Sequence, residues 1–145
     1  MKNSSNNIFN YIKNNFRNIS ILDVGARDGV GGPWNKINKD FVDLILVEPD
    51  PEEAAKIENE LSKKQNSIVV QAAFWNDEKS LLLNLNQSPG TSSIFSSNFS
   101  FLNQFSDSNR FKSVKKIIDK CDTIDYLIEK NQMPHFDFAK IDIQG

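Results

Sequence analysis

Ile21-Leu22-Asp23-Val24-Gly25-Ala26-Arg27-Asp28-Gly29 is the stretch on which the fold turns. Its first four residues are a short, mostly apolar run of the kind a strand shows when both of its faces are buried. The run ends in a glycine, and Gly29, Gly31 and Gly32 follow before Pro33. Such a segment reads as a tight turn after a strand, with Pro33 as the first residue of a short helix. A second apolar run, Val42-Asp43-Leu44-Ile45-Leu46-Val47-Glu48, lies about twenty residues on and ends in an acid. A glycine turn after one strand and a carboxylate closing the next form the geometry of nucleotide-like cofactor sites. The glycines let backbone come close to a ligand, and the acid accepts hydrogen bonds from ribose hydroxyls. The plainer alternative is ordinary turn glycines and a charge flanking a helix.

Working outward, the pattern alternates between strand and helix. Ile8, Phe9, Ile12, Phe16 and Ile19 fall at helical spacing, so residues 1–20 are expected to form an amphipathic helix packed on a domain spanning 21–145. Asp50-Pro51-Glu52-Glu53 has an N-cap, a proline at the first helical position and a capping-box acid. Ala54, Ile57 and Leu61 would form that helix's buried face. Residues 67–75 read as a third strand. The order strand, helix, strand, helix, strand specifies a parallel sheet with helical crossovers. Leu81, Leu83 and Leu85 alternate with Leu82, Asn84 and Asn86, which suggests an antiparallel strand added at one edge. Residues 88–109 read as a long loop with a short strand near 92–95, either functional or a plain connection. A strand over 111–118, a helix capped by Asp122 and a last apolar strand over 136–143 complete the expectation.

Composition excludes several function classes. Apolar residues make up 39% and charged residues 25% of the 145, the balance of a globular domain. The net charge is −2, which argues against a nucleic-acid partner. Cys121 is the only cysteine and His135 the only histidine, so neither an internal disulfide nor a tetrahedral zinc set can form within the chain, and no metal is expected. No stretch has the length of a membrane span and the first residues do not resemble a secretion signal, so the expected location is the cytoplasm.

The charges of the turn bear on the ligand. Dinucleotide sites lay a pyrophosphate on Gly-x-Gly-x-x-Gly. In this chain Arg27 stands where the middle glycine would be, and Asp23 and Asp28 flank the turn. Carboxylates there disfavour phosphate and favour a cationic ligand. S-adenosylmethionine, which carries a sulfonium and an ammonium, meets that requirement; a dehydrogenase half-domain and a non-catalytic cofactor-binding module remain as other readings.

Further along, Val47-Glu48-Pro49, Ala72-Ala73-Phe74-Trp75, Thr123-Ile124-Asp125 and Lys140-Ile141-Asp142-Ile143-Gln144-Gly145 follow the glycine turn in order. Taken together these motifs resemble the FkbM-type methyltransferase family from about residue 21 to the last residue. The resemblance implies a Rossmann-like class I methyltransferase α/β fold, helices on both faces of the sheet, and S-adenosylmethionine as cofactor. It implies O-methylation of a hydroxyl on a small molecule, sugar or glycan. The cofactor would be held by Asp23, Gly25, Ala26, Arg27, Gly29, Glu48, Pro49, Ala73 and Phe74, and Asp142 would act near the methyl group as base or substrate anchor, with a purely structural carboxylate as the alternative. Members continue past the last motif, so the sheet is expected to hold the first four parallel strands plus an inserted antiparallel hairpin. On that reading the chain does not turn over alone and self-associates through an uncovered sheet edge.

Overall fold

A computed structural model of the chain describes residues 11, 14–29, 36, 38–61 and 67–143. Strands β1 (Ile19–Val24), β2 (Val42–Val47), β3 (Ser67–Val70) and, much later, β7 (Phe138–Ile141) form one parallel sheet in the order β3-β2-β1-β7. Strand β1 is therefore central, in register with β2 from Ile19↔Val42 to Val24↔Val47 and with β7 from Ile21↔Phe138 to Val24↔Ile141. Its apolar side chains alternate between two cores, as the period of two in a strand requires. Ile21 joins Val42, Leu44 and Leu46 against Ile57 and Leu61 of helix α1 (Pro51–Leu61). Leu22 and Val24 join Ile45 and Val47 against Leu127 of helix α3 (Ile124–Glu129) and Met133. Helices thus cover both faces of a four-stranded parallel sheet, as a Rossmann-like fold demands.

The expected third strand breaks in two. Strand β3 ends at Val70, whose carbonyl accepts from Glu48 N–H at 3.2 Å. Strand β2 has ended at Val47, so nothing remains for a longer β3 to pair with. Ala72 drops into the core beside Val24 and Val47, and Ala73–Phe74 re-form as β4 in a second sheet. That sheet has the order β4-β6-β5, with β5 (Lys79–Asn86) antiparallel to β6 (Ser113–Asp122). The antiparallel pair expected from the leucine alternation is present, but it joins β4 instead of extending the first sheet. Between β5 and β6 the chain holds a short helix α2 (Phe99–Leu102) and only a single bridge, Asn84 to Ser93, in place of the short strand near 92–95.

Helix starts depart from the sequence reading in two places. Asp50 caps α1 by accepting from Glu52 N–H at 3.1 Å. Its own N–H, which a capping box would give to Glu53, donates instead to Glu48 Oε1 at 2.9 Å. Asp122 is the last residue of β6, held extended opposite Phe74. The cap of α3 is Thr123, whose hydroxyl accepts from Tyr126 N–H at 3.1 Å. The expected helix over the first twenty residues lies mainly outside the described residues, as does Pro33. Ile19 begins β1, and Phe16 is exposed.

Arg17, just before β1, ties that central strand to the start of β7. Its guanidinium donates to both carboxylate oxygens of Asp137, to Oδ2 at 2.7 Å, and the same Oδ2 accepts from Ser20 N–H at 2.9 Å. These donors hold the Asp137 carboxyl at about 2, below its ordinary 3.8, with the Arg17 hydrogen bonds as the main cause. A depressed folded value means the native state binds fewer protons than the unfolded chain, so the stabilisation is complete above the ordinary value and is lost as pH falls through the folded one. Asp137→Asn should lower the urea midpoint at neutral pH. The difference from the parent should shrink steadily below pH 3.8 and vanish below about 2. A pH-independent difference would show that Asp137 acts through packing alone.

Candidate functional site

The carboxyl ends of β1 and β2 are tied together at one atom. The carbonyl of Val47 accepts from both Gly25 N–H and Ala26 N–H, each at 3.0 Å. That pair of bonds curls the glycine turn over the end of β2, and Gly29 N–H closes the turn onto Ala26 O at 2.9 Å. Gly25 and Gly29 have φ of 79° and 77°, and Asp28 adopts 67°. A left-handed aspartate between left-handed glycines is a locally strained arrangement that the neighbouring structure must hold in place.

A cleft of about 430 Å³ opens at this edge of the sheet, a size typical of small-ligand sites. It lies beyond the carboxyl ends of the strands, where β1 has β2 on one side and the late-arriving β7 on the other. In open parallel sheets that is where ligands bind. One wall comes from the first sheet: Gly25, Arg27, Glu48, Pro49 and Asp142. Ala73, Phe74 and Trp75 line the turn between the sheets. The opposite wall is Leu83, Leu85, Pro89, Gly90, Ser92, Ser93 and Ile94.

Of the residues expected from the sequence, Gly25, Arg27, Glu48, Pro49, Ala73, Phe74 and Asp142 meet in this cleft. Asp23, Ala26 and Gly29 stand behind it. The buried Asp23 carboxylate is bonded to Lys140 Nζ at 2.9 Å, which neutralises a charge the sequence reading had assigned to the ligand. Ala26 packs in the core beneath α1, and Gly29 is buried in the turn. The residues of the second sheet were missed. The alternating leucines announced β5, but nothing in sequence says that Leu83 and Leu85 face β1 across a gap. The small residues of 88–94 were the remaining signal.

The acids of the first wall are not equivalent. Glu48 is 4% exposed, and burial pushes its carboxyl above the ordinary range, opposed by the Asp50 N–H and by the charge of Arg27. Arg27 Nη1 lies 3.6 Å from Asp50 Oδ2 and Nη2 lies 3.4 Å from Glu53 Oε2, while Lys56 also reaches Glu53 at 3.1 Å. The Asp142 side chain is 78% exposed, 3.7 Å from Lys140 Nζ, and its backbone N–H is fixed to Val24 O at 3.1 Å. No group of His, Cys, Asp and Glu side chains fit to hold a metal occurs among the described residues, and none of their helices is long and apolar enough to cross a membrane.

A family model described as the methyltransferase FkbM domain matches residues 23–145. The chain belongs to the FkbM methyltransferase family. No curated protein and no solved structure matches it. The matched span begins at Asp23 and contains both walls of the cleft, so in this FkbM methyltransferase domain the second sheet belongs to the family's own unit.

Gly25 is held where only glycine fits. A Cβ built there would stand 2.2 Å from the carbonyl oxygen of Asp142. The close approach that needs glycine is between the turn and the end of β7, chain against chain. Gly25→Ala should therefore destabilise the fold by about 2–4 kcal/mol, from a left-handed backbone and a backbone clash together, read as a fall in urea midpoint. A neutral substitution would show that the turn and β7 part readily.

Proposed function

We propose that the cleft binds S-adenosylmethionine, with Glu48 accepting hydrogen bonds from the ribose, and that the methyl group passes to a hydroxyl of a small molecule, sugar or glycan. The observation that carries this reading is Glu48 itself: a buried carboxylate at the end of β2, lining the cleft, with Oε1 taken by Asp50 N–H. A desolvated acid is costly unless a partner rewards it, and a ribose diol at Oε2 would do so. Pro49 and Phe74 flank it with apolar surface.

When bound, the cofactor supplies a methyl group on a sulfonium, ready for in-line displacement. The chain's own work is alignment, water exclusion and proton handling. Leu83, Leu85 and Ile94 dry the far wall. Asp142, exposed at the cleft, would take the proton of the acceptor's hydroxyl. Ser92 lines the cleft as well, its hydroxyl accepting from Asn86 N–H at 3.1 Å.

Glu48→Gln provides the first test. Titration calorimetry with S-adenosylhomocysteine should show a loss of about 2–3 kcal/mol, because charge-assisted bonds to the ribose become neutral ones. The same change should raise the urea midpoint at neutral pH. The folded value of Glu48 is raised, so the native state is penalised for holding it ionised as pH rises past the ordinary carboxyl range. Higher stability with unchanged affinity would remove Glu48 from the donor site.

Asp142→Asn addresses the chemistry. With methyl-labelled donor and a panel of hydroxylated acceptors, kcat should fall by about 10²–10⁴ if Asp142 is the base, while the dissociation constant for S-adenosylhomocysteine stays within about twofold. An unchanged kcat would leave proton removal to solvent.

A further inference from the structure

We propose that Arg27 is a positioning residue of the donor site: by bridging Asp50 and Glu53 it fixes the chain leaving β2, from which Glu48 is hung, and it brings the one cation of the glycine turn to that group of carboxylates. The inference rests on the reading of Glu48 as the ribose acid. Geometry supplies the links. Arg27 Nη1 faces Asp50 Oδ2 and Nη2 faces Glu53 Oε2. Asp50 Oδ1 is occupied by Glu52 N–H, and Asp50 N–H is bonded to Glu48 Oε1. One guanidinium therefore holds the first turn of α1 against the glycine turn, and the backbone between them aims Glu48. Arg27 also lines the cleft and its side chain is 23% exposed, so it works at the boundary between solvent and the buried acids.

Charge points the same way. Around Glu48 stand Asp50, the cap of α1, and Glu53 of its first turn, which oppose its ionisation, and Arg27 from the turn after β1, which favours it. Lys56 reaches the same Glu53 oxygen, Oε2, at 3.1 Å but does not line the cleft, and Lys115 of β6 is engaged by Glu52. Strand β3 presents the uncharged Val70 carbonyl. At the end of β7, Asp142 lies near Lys140. Among the described residues, Arg27 is thus the cation that meets these acids and lines the cleft. A planar fork suits this position, since its two nitrogens meet two carboxylates at a fixed spacing, where a lysine offers a single point charge.

The test is a carboxyl titration of Glu48 by carbon-13 NMR on the full chain with labelled glutamate, the signal being assigned by its loss in Glu48→Gln. Arg27→Gln should move the Glu48 midpoint upward and shift the pH dependence of S-adenosylhomocysteine binding in the same direction, with about tenfold weaker affinity at neutral pH. Arg27→Lys should restore most of the midpoint but only part of the affinity. If Arg27→Gln does not fold, Glu53→Gln carries the test, because removing one of the competing carboxylates should move the Glu48 midpoint down. A midpoint unmoved by the substitution that folds overturns the proposal. A midpoint that moves while affinity is indifferent both to Arg27 and to Glu48→Gln overturns the donor reading, and the role given to Arg27 falls with it.

Discussion

The carbonyl of Val47 is the hinge on which the site depends. It is the last backbone acceptor of β2, and it takes both Gly25 N–H and Ala26 N–H. Without that pairing the turn after β1 would be free to swing, because its left-handed residues give it no preferred direction of its own. With it, Arg27 is delivered to Asp50 and Glu53, Glu48 leaves β2 at a fixed angle, and the cleft has a floor. The next bond outward, Glu48 N–H to Val70 O, ends the ladder to β3 at the same level. Three strands therefore finish together, and a parallel sheet whose strands finish together leaves a shelf at its carboxyl edge.

Burial on both faces of β1 makes this arrangement rigid. Leu22 and Leu46 are fully buried in opposite cores, so neither strand can slip by one residue without exchanging its two apolar sets. Such a slip is what would misplace Glu48 relative to the turn. The pair of the buried Asp23 and the partly exposed Lys140 adds a constraint of another kind. It ties β1 to β7 through a charge that would be costly to leave alone, and it sets Asp142 two residues beyond the tie.

Much of this was legible in the sequence. The apolar runs at 21–24 and 42–47 and the face of Ala54, Ile57 and Leu61 have periods that only one packing satisfies, so strands β1 and β2 and helix α1 could be read directly. What escaped reading was set by partners distant in sequence. Residues 67–75 carry continuous strand propensity, yet β3 stops at Val70 because its neighbour stops. Glu53 has the spacing of a capping-box acid, yet Glu48 reaches the same N–H first and leaves Glu53 to Arg27. Asp122 and Thr123 are both good caps by type, and the pairing of Asp122 with β4 decides between them. In the site, seven of the residues picked out by local motifs line the cleft. The far wall, built from β5 and residues 89–94, has no local signature, because facing across a gap is a tertiary relation. Asp23 is a further case: a lysine 117 residues away bonds its Oδ1, a partner that its motif position does not announce.

The two walls of the cleft have different origins, and that has an evolutionary consequence. The wall bearing Gly25, Arg27 and Glu48 is gathered from separate strands of the parallel sheet, so each of its residues is also a fold residue and is held back by stability from changing. The opposite wall is nearly contiguous in sequence, from Leu83 to Ile94, and hangs on the edge of a separate small sheet. Substitutions, insertions or replacement of that single segment alter the shape and polarity of half the cavity while Glu48, Asp50 and Glu53 keep their places. A fold built this way can reshape its cleft by exchanging one short piece of chain, with the parallel sheet left intact.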